Sequence, residues 1–252
     1  GIFASDAILN DMTLLGVGGS SQVGTAGKQT TLGGIGTGYI YPAWKGQMAY
    51  TTPNMNGFQA TVGITNAEQG ISTTALALKQ DRYGMEAKAS YTFPAGKVWV
   101  GGQSNEVTDG VRSHDVTVAE IGTAITIANV GLTAYYFSGE GAGTTLAVNS
   151  NVGASATGAE RDVDGGYVQA TYVIPTGTKL GIAYGVSRSD LAAGEAAGTE
   201  ALDENNRWTV GAYHPLTKHL NLVAEYNDIE SKDHDGDQQE SSSVSLGAIL
   251  FF

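Results

Sequence analysis

Apolar and polar residues alternate along most of this chain, from about residue 40 to the last residue. Successive side chains of an extended strand point to opposite faces, so this alternation predicts a sheet with one apolar and one polar face. Alternation and turn residues together predict about eleven strands. They lie near residues 40–51, 57–66, 82–93, 97–106, 113–125, 129–139, 163–174, 178–188, 204–214, 218–229 and 242–252.

The predicted strands are long, at about ten to twelve residues, against roughly five or six in a soluble sheet. Ten residues at about 3.3 Å each, tilted by about 40°, cross roughly 25 Å, which is the height of the apolar band of an outer-membrane barrel. Strand length therefore favours a sheet that crosses a membrane.

The connections between strands alternate short and long, and three of the short ones share a proline at the turn entry: residues 93–97, 174–178 and 214–218. Proline fixes φ and gives up a donor that the sheet does not need there. The long connections are rich in Gly, Ala, Ser and Asp. Short turns at one end and long loops at the other are typical of a transmembrane barrel with its loops outside the cell.

Charged residues sort by strand face. The apolar phase of most strands carries no Asp, Glu, Lys or Arg, and a charge facing lipid costs about 2–4 kcal/mol at mid-membrane. If the two faces were equivalent, seven such placements would have a chance of about 1 in 100. The seven charged residues in the other phase, which we interpret as lumen-facing, are Lys45, Arg82, Glu86, Lys88, Lys179, Arg207 and Glu225.

Two strands fit this scheme less well. Around residues 113–125, an outward Val116 and Val118 would put Glu120 in lipid, so we expect a bulge or register shift there. Around residues 97–106, Val98 and Val100 facing outward leave Trp99 inside.

Composition restricts the function. The 252 residues contain no Cys, which excludes disulfides and thiolate metal sites. A formal charge of −12 argues against nucleic acid as a partner. The four histidines are scattered without a ligand or catalytic spacing, so no enzyme and no cofactor is expected. Residues Asp233–Asp237 have oxygens spaced as in a calcium loop but lack the downstream Glu, so we interpret them as a solvated loop and expect no metal.

Residues 1–38 do not alternate. Ser5–Leu15 could form a short helix that starts at Ser5 or Asp6, and a glycine-rich loop follows from Gly16. The stretch from Gly1 to Gly18 resembles the inward-folded third loop of Gram-negative general porins. Residues 41–63 resemble the strand pair that follows that loop in the same family, and Phe252 resembles its terminal assembly signal.

The resemblance implies an all-β fold, a transmembrane antiparallel β-barrel of sixteen strands, of which this chain resembles strands six to sixteen. Residues 1–38 would then be a constriction-loop segment in the pore, and residues 39–252 the barrel strands. In that family the loop presents acidic groups, here matched by Asp6 and Asp11, opposite a basic wall. Asp6 could instead cap the helix, and Asp11 could be an exposed turn residue.

The sequence therefore predicts a general diffusion porin of the bacterial outer membrane, passing small hydrophilic solutes and ions. By resemblance it would be a homotrimer in contact with outer-membrane lipid and lipopolysaccharide. The net charge favours cations. The alternative is a structural or adhesive barrel with a blocked lumen, against which we count small lumen-side residues such as Gly63, Gly181, Ala183 and Gly247.

Overall fold

The computed structural model describes residues 1–16, 33–42, 45–66, 82–108, 113–148, 153–196 and 201–252. One short helix, α1, spans Ser5–Asn10. The strands are β1 Gly46–Thr51, β2 Phe58–Asn66, β3 Gly84–Phe93, β4 Gly96–Thr108, β5 Ser113–Ile127, β6 Val130–Glu140, β7 Asp162–Val173, β8 Lys179–Ser189, β9 Leu202–Pro215, β10 Leu220–Asp233 and β11 Gln238–Leu250.

The strands form a single antiparallel sheet in which each strand pairs with its neighbours in sequence. Within the described residues, β1 pairs only with β2 and β11 only with β10, so the sheet is an open wall. The all-β class and the predicted strand order are confirmed. No helix in the described ranges is long and apolar enough to cross a membrane.

The sheet curves around residues 1–16. Ile2 packs at Gly63 on β2, and Leu15 packs at Gly247 on β11. The nine gaps between those strands would span roughly 43 Å in a flat sheet. The segment from Ile2 to Leu15 includes α1 and reaches at most roughly 34 Å. Because its two ends touch the inner face so far apart along the sheet, the sheet must wrap around it.

The two faces of the wall differ as the phase analysis predicts. Apolar side chains of the outer phase are exposed, among them Val62, Met85, Val168, Val210 and Leu246. Charged groups of the other phase are buried inside, and Glu86, Arg207 and Glu225 are at most 3% exposed. The apolar band is therefore on the outside, where lipid would contact it.

The expected bulge in the fifth strand is wrong. β5 pairs without a break to β4 and to β6 over its whole length. Val116, Val118 and Glu120 all face inward and are buried. Valine is tolerated there because this part of the inner face is covered by protein, including Phe3 and Ala7. Trp99 lies inside, as predicted, while Val98 and Val100 are exposed.

Several element bounds also differ from the sequence-based prediction. β1 begins at Gly46, not near residue 40, because Tyr39 and Ile40 are buried in the interior cluster instead of joining the wall. The expected long loop at 230–241 is a four-residue turn between β10 and β11. The Asp233 carboxylate accepts hydrogen bonds from the Asp235 and Asp237 amides there and closes the turn. Trp44, which belongs to the first predicted strand, lies outside the described residues.

Candidate functional site: a segment bound across the inner face

Residues 1–16 lie across the inner face of the wall, and we call them the inner segment. Its helix α1 is only six residues long, too short to be stable alone in water. No side chain caps it, and its N-cap residue Ala4 adopts a left-handed φ of 56°. The chain leaves the helix at Asp11, which is extended. The helix is therefore shorter than the stretch from Ser5 to Leu15 that the sequence suggested.

The wall holds the inner segment mainly by its backbone amides. Glu86 accepts from Ile2 N at 2.5 Å and Phe3 N at 3.3 Å. Glu120 accepts from Ala4 N at 3.0 Å. These bonds satisfy the buried amides of residues 2–4, which precede the helix and would otherwise have no acceptor. A charged acceptor makes such bonds stronger than neutral ones.

The far end of the inner segment is held in the same way by Glu225 on β10. Its carboxylate accepts from the amides of Leu14, Leu15 and Gly16 at 2.7, 2.8 and 2.6 Å. The Tyr213 hydroxyl donates to the same carboxylate at 2.9 Å. One buried carboxylate thus binds three consecutive amides.

The middle of the inner segment is held by uncharged polar groups of β7. Gln169 Oε1 accepts from Met12 N at 2.7 Å, and Gln169 Nε2 donates to the Asn10 carbonyl at 3.0 Å. The Tyr167 hydroxyl donates to the Ala7 carbonyl at 2.7 Å. Every one of these contacts uses main-chain atoms of the segment.

Glycines of the wall form sockets for apolar side chains of the inner segment. A Cβ built on Gly63 would lie 2.8 Å from Ile2 Cδ1, and one on Gly247 would lie 2.7 Å from Leu15 Cδ1. A Cβ on Gly181 would clash with the sulfur of Met12. These are three of the small residues that the sequence analysis took as signs of an open lumen. These glycines do not indicate an open lumen, because the inner segment occupies the space they leave.

Asp6 lies between two lysines. Its Oδ1 is 2.5 Å from Lys97 Nζ, and its Oδ2 is 2.7 Å from Lys88 Nζ. Burial raises the pKa of Asp6, but the hydrogen bonds and charges of the two lysines outweigh burial, so the pKa lies below its ordinary value. Lys88 also donates to the Ser5 hydroxyl at 2.8 Å. Asp6 therefore binds the wall and makes no side-chain cap for α1.

Asp11 is buried at the other end of the helix. Its carboxylate accepts from the Tyr39 hydroxyl at 2.8 Å, from Gly34 N at 2.7 Å and from Thr13 N at 3.0 Å. Arg207 Nη2 is 3.8 Å away. Burial, followed by the charge of Asp11, raises the pKa of Tyr39 well above its usual value, so the phenol remains a donor. Asp11 is not an exposed turn residue.

The predicted wall charges differ in what they contact. Lys45 and Glu86 form a buried ion pair with each other. Lys88, Arg207 and Glu225 contact the inner segment as described, and Lys179 faces a cavity beside it. Arg82 is apart from them, since it pairs with Asp115 at 2.8 Å where both side chains are exposed.

An aromatic cluster fills the inner face beside the helix. Trp99 and Tyr135 stack with centroids 6.5 Å apart, and Tyr167 lies 5.8 Å from both Tyr135 and Tyr39. The Tyr135 hydroxyl donates to Glu120 at 2.8 Å. Of these rings, only Trp99 was expected inside from the sequence. The inward phase of β6 and β7 could also have indicated Tyr135 and Tyr167, whereas Tyr39 lies outside the strands.

A cavity of about 600 Å³ remains between the inner segment and the wall, at the ends of the strands that carry the short turns. We call it the vestibule. It is bordered by polar side chains: Asn10, Lys97, Thr133, Gln169 and Lys179. Within the described ranges, no group of three or more His, Asp or Glu side chains could hold a metal ion.

Comparison with known proteins agrees with this architecture. A family model described as Gram-negative porin matches residues 3–234. No curated protein sequence matches the chain significantly. Solved structures of outer-membrane proteins, among them the three described next, share the fold at identities below 20%, which makes them evidence of the fold alone.

The outer membrane channel DcaP of Acinetobacter baumannii superposes with a TM-score of 0.64 at 18% identity, over 81% of this chain and 62% of DcaP. An anion-selective porin from Comamonas acidovorans has a TM-score of 0.61 at 14% identity, over 82% of this chain and 59% of that porin. A porin structure refined at 1.8 Å has a TM-score of 0.59 at 17% identity, over 97% of this chain and 74% of that porin. The chain thus spans about 60% of the length of the first two.

Proposed function

Because the chain belongs to the family of Gram-negative porins, we propose that it forms a general diffusion channel, through which small hydrophilic solutes and ions pass passively. Its location is the bacterial outer membrane, where the exposed apolar phase of the strands contacts lipid. What we propose beyond family membership is that the channel is general and not specific for one solute.

The observation that carries the proposal is the polar vestibule beside the inner segment. Residues 1–16 narrow the space inside the wall, but a cavity of about 600 Å³ remains next to α1. Its polar lining replaces part of the hydration shell of a solute that passes. A constriction that is narrow and polar supports a size limit for hydrophilic solutes.

We propose Asp6 and Asp11 as the constriction residues on the segment side. Lys88, Lys97 and Arg207 face them from the wall. Lys45, Glu86, Lys179 and Glu225 complete the charged wall, and Arg82 lies nearer the long loops. Groups of opposite sign on the two sides support a transverse field that would orient polar solutes.

The second candidate, a structural or adhesive barrel with a blocked lumen, is favoured by one specific observation. Ile2, Met12 and Leu15 fill sockets of the wall, and the aromatic cluster covers the inner face of β4 to β7. This packing leaves less open space than the sequence suggested. The vestibule beside Lys179 favours the channel over this alternative.

We further propose a homotrimer, bound by outer-membrane lipid and lipopolysaccharide, and a channel instead of an enzyme. Family membership supports all three.

Single-channel recording in planar bilayers tests the proposal, with the full natural polypeptide in symmetric KCl. We expect large, steady conductance in steps of three. A folded and inserted protein without conductance would contradict the channel and favour the blocked barrel.

A further inference from the structure

The charged side chains on the inner face differ in their exposure to solvent. The carboxylates that contact or border the inner segment are buried: Asp6, Asp11, Glu86, Glu120 and Glu225. Each accepts hydrogen bonds or ion pairs from the protein. These partners offset part of the negative charge that an ion in the lumen would experience.

The lysines are more accessible. The side chain of Lys97 is 31% exposed and that of Lys88 is 18% exposed, although both share the single carboxylate of Asp6. Glu120 also interacts electrostatically with Lys88, so the charge of Lys97 is the less compensated of the two. Lys179 is half-buried on the wall of the vestibule.

Lys179 has no carboxylate partner among the described residues. Its ammonium lies 4.7 Å from the centroid of the Tyr213 ring, which stabilises the cation without neutralising it. Lys97 and Lys179 border the same cavity. Between them, Thr133 and Thr171 carry hydroxyl groups, and Gln169 carries an amide. Asp11 also borders the cavity, but its carboxylate already accepts three hydrogen bonds.

Most of the acidic excess of the chain lies elsewhere. Glu140, Asp162, Asp190, Glu204 and Glu230 lie near the ends of the strands that carry the long connections. The net charge of −12 therefore describes that end of the molecule and not the vestibule. The cation preference that the sequence suggested does not follow from the groups nearest to the constriction.

We infer that the vestibule is an anion subsite, in which Lys179 and Lys97 bind small solutes that carry a carboxylate or phosphate group. The inference rests on the proposed channel and names a class of solute that it would favour. The two ammonium groups attract the anion. The Thr133 hydroxyl accepts a hydrogen bond from Gln169 and keeps its own proton to donate to a solute. Lys179 sets the selectivity, because its charge is not compensated.

Replacement of Lys179 by glutamine tests the subsite, since it keeps the length and polarity of the side chain and removes the charge. At about 7 Å in water, loss of one unit charge changes the local anion concentration about threefold. We expect Lys179→Gln to lower the chloride-to-potassium permeability ratio about threefold, measured as the reversal potential in a KCl gradient. Lys218→Gln is the matched control, because Lys218 is an exposed lysine in a short turn and does not border the vestibule.

Binding of inorganic phosphate to the folded protein in detergent supplies a measurement that does not depend on conduction. We expect the ³¹P line of phosphate to broaden with the unaltered protein and with Lys218→Gln, and the broadening to be lost with Lys179→Gln. Equal broadening in all three proteins, or none in any, would overturn the subsite. An unchanged reversal potential in a conducting Lys179→Gln channel would overturn the subsite and leave the proposed channel intact. Absence of conductance in the unaltered, inserted protein would instead count against the channel.

Discussion

The hydrogen bonds from the inner segment to Glu225 can be tested by removing the Glu225 carboxylate. In Glu225→Ala, the amides of residues 14–16 and the Tyr213 hydroxyl lose their acceptor. Hydrogen bonds to a charged group contribute about 1.5–3 kcal/mol each, so four bonds set a ceiling of roughly 6–12 kcal/mol. Amides released into the lumen would bind water and recover most of that energy. We therefore expect a net loss of about 3 kcal/mol for local opening of this end of the segment.

Amide hydrogen exchange of residues 14–16 measures this opening directly. Exchange from a locally open state scales with its population, so about 3 kcal/mol corresponds to an increase on the order of a hundredfold. Glu230→Gln is the control, because Glu230 is an acid on the same strand that contacts only exposed groups. Unchanged exchange at residues 14–16 would refute the reasoning. A uniform increase over all strands would also refute it, since it would mean that Glu225 stabilises the wall as a whole.

Three further outcomes are expected. Gly122→Ala should lower the thermal stability by about 1–3 kcal/mol, because the new Cβ would clash with the ring of Trp99. Val244→Lys should cost about 2–4 kcal/mol in urea unfolding from lipid, whereas the neighbouring Ser245→Lys, on the inner phase, should cost much less. The pKa of Asp6 is lowered in the folded state, so the stabilisation from its ion pairs is complete above about pH 4 and is lost only as the pH falls through the folded pKa. The difference in corrected amide exchange in α1 between the unaltered protein and Asp6→Asn should therefore stay constant from pH 7 to about 4.

Each of these outcomes has its control. Gly46→Ala should leave the melting temperature unchanged, since nothing lies within 4 Å of its Cβ. Equal costs for the two lysine variants of β11 would show that the outer phase does not face lipid. For the pH series, Asp6→Asn should increase exchange in α1 at every pH. If α1 instead opened between pH 7 and 5, the pairing of Asp6 with its lysines would not be what stabilises it.

The wall was predictable from sequence because a strand repeats every two residues and lipid tolerates no charge. That rule alone assigns Glu86, Arg207 and Glu225 to the inner face, where they lie. It failed at Glu120, because it was applied with the assumption that valines must face lipid. Val116 and Val118 face inward, since the interior of this wall is itself covered by apolar side chains.

The partners of the inner residues were not predictable. Glu225 and Leu14 are 211 positions apart in sequence, and nothing in the pattern of either region indicates their contact. The pattern also does not show that Gly181 receives Met12 or that Lys97 shares Asp6 with Lys88. Such contacts depend on how the segment crosses the curved sheet, which no local periodicity encodes.

Because the inner segment is attached through its backbone amides, its hydrogen bonds to the wall do not depend on which side chains it carries. Glu86, Glu120 and Glu225 bind main-chain N–H groups, which every residue except proline provides. At residues 2–4 and 14–16, these hydrogen bonds do not themselves depend on the identity of the side chain, while a proline would remove them. Exposed side chains of the inner segment, such as that of Leu9, can therefore be replaced to suit different solutes without moving the segment.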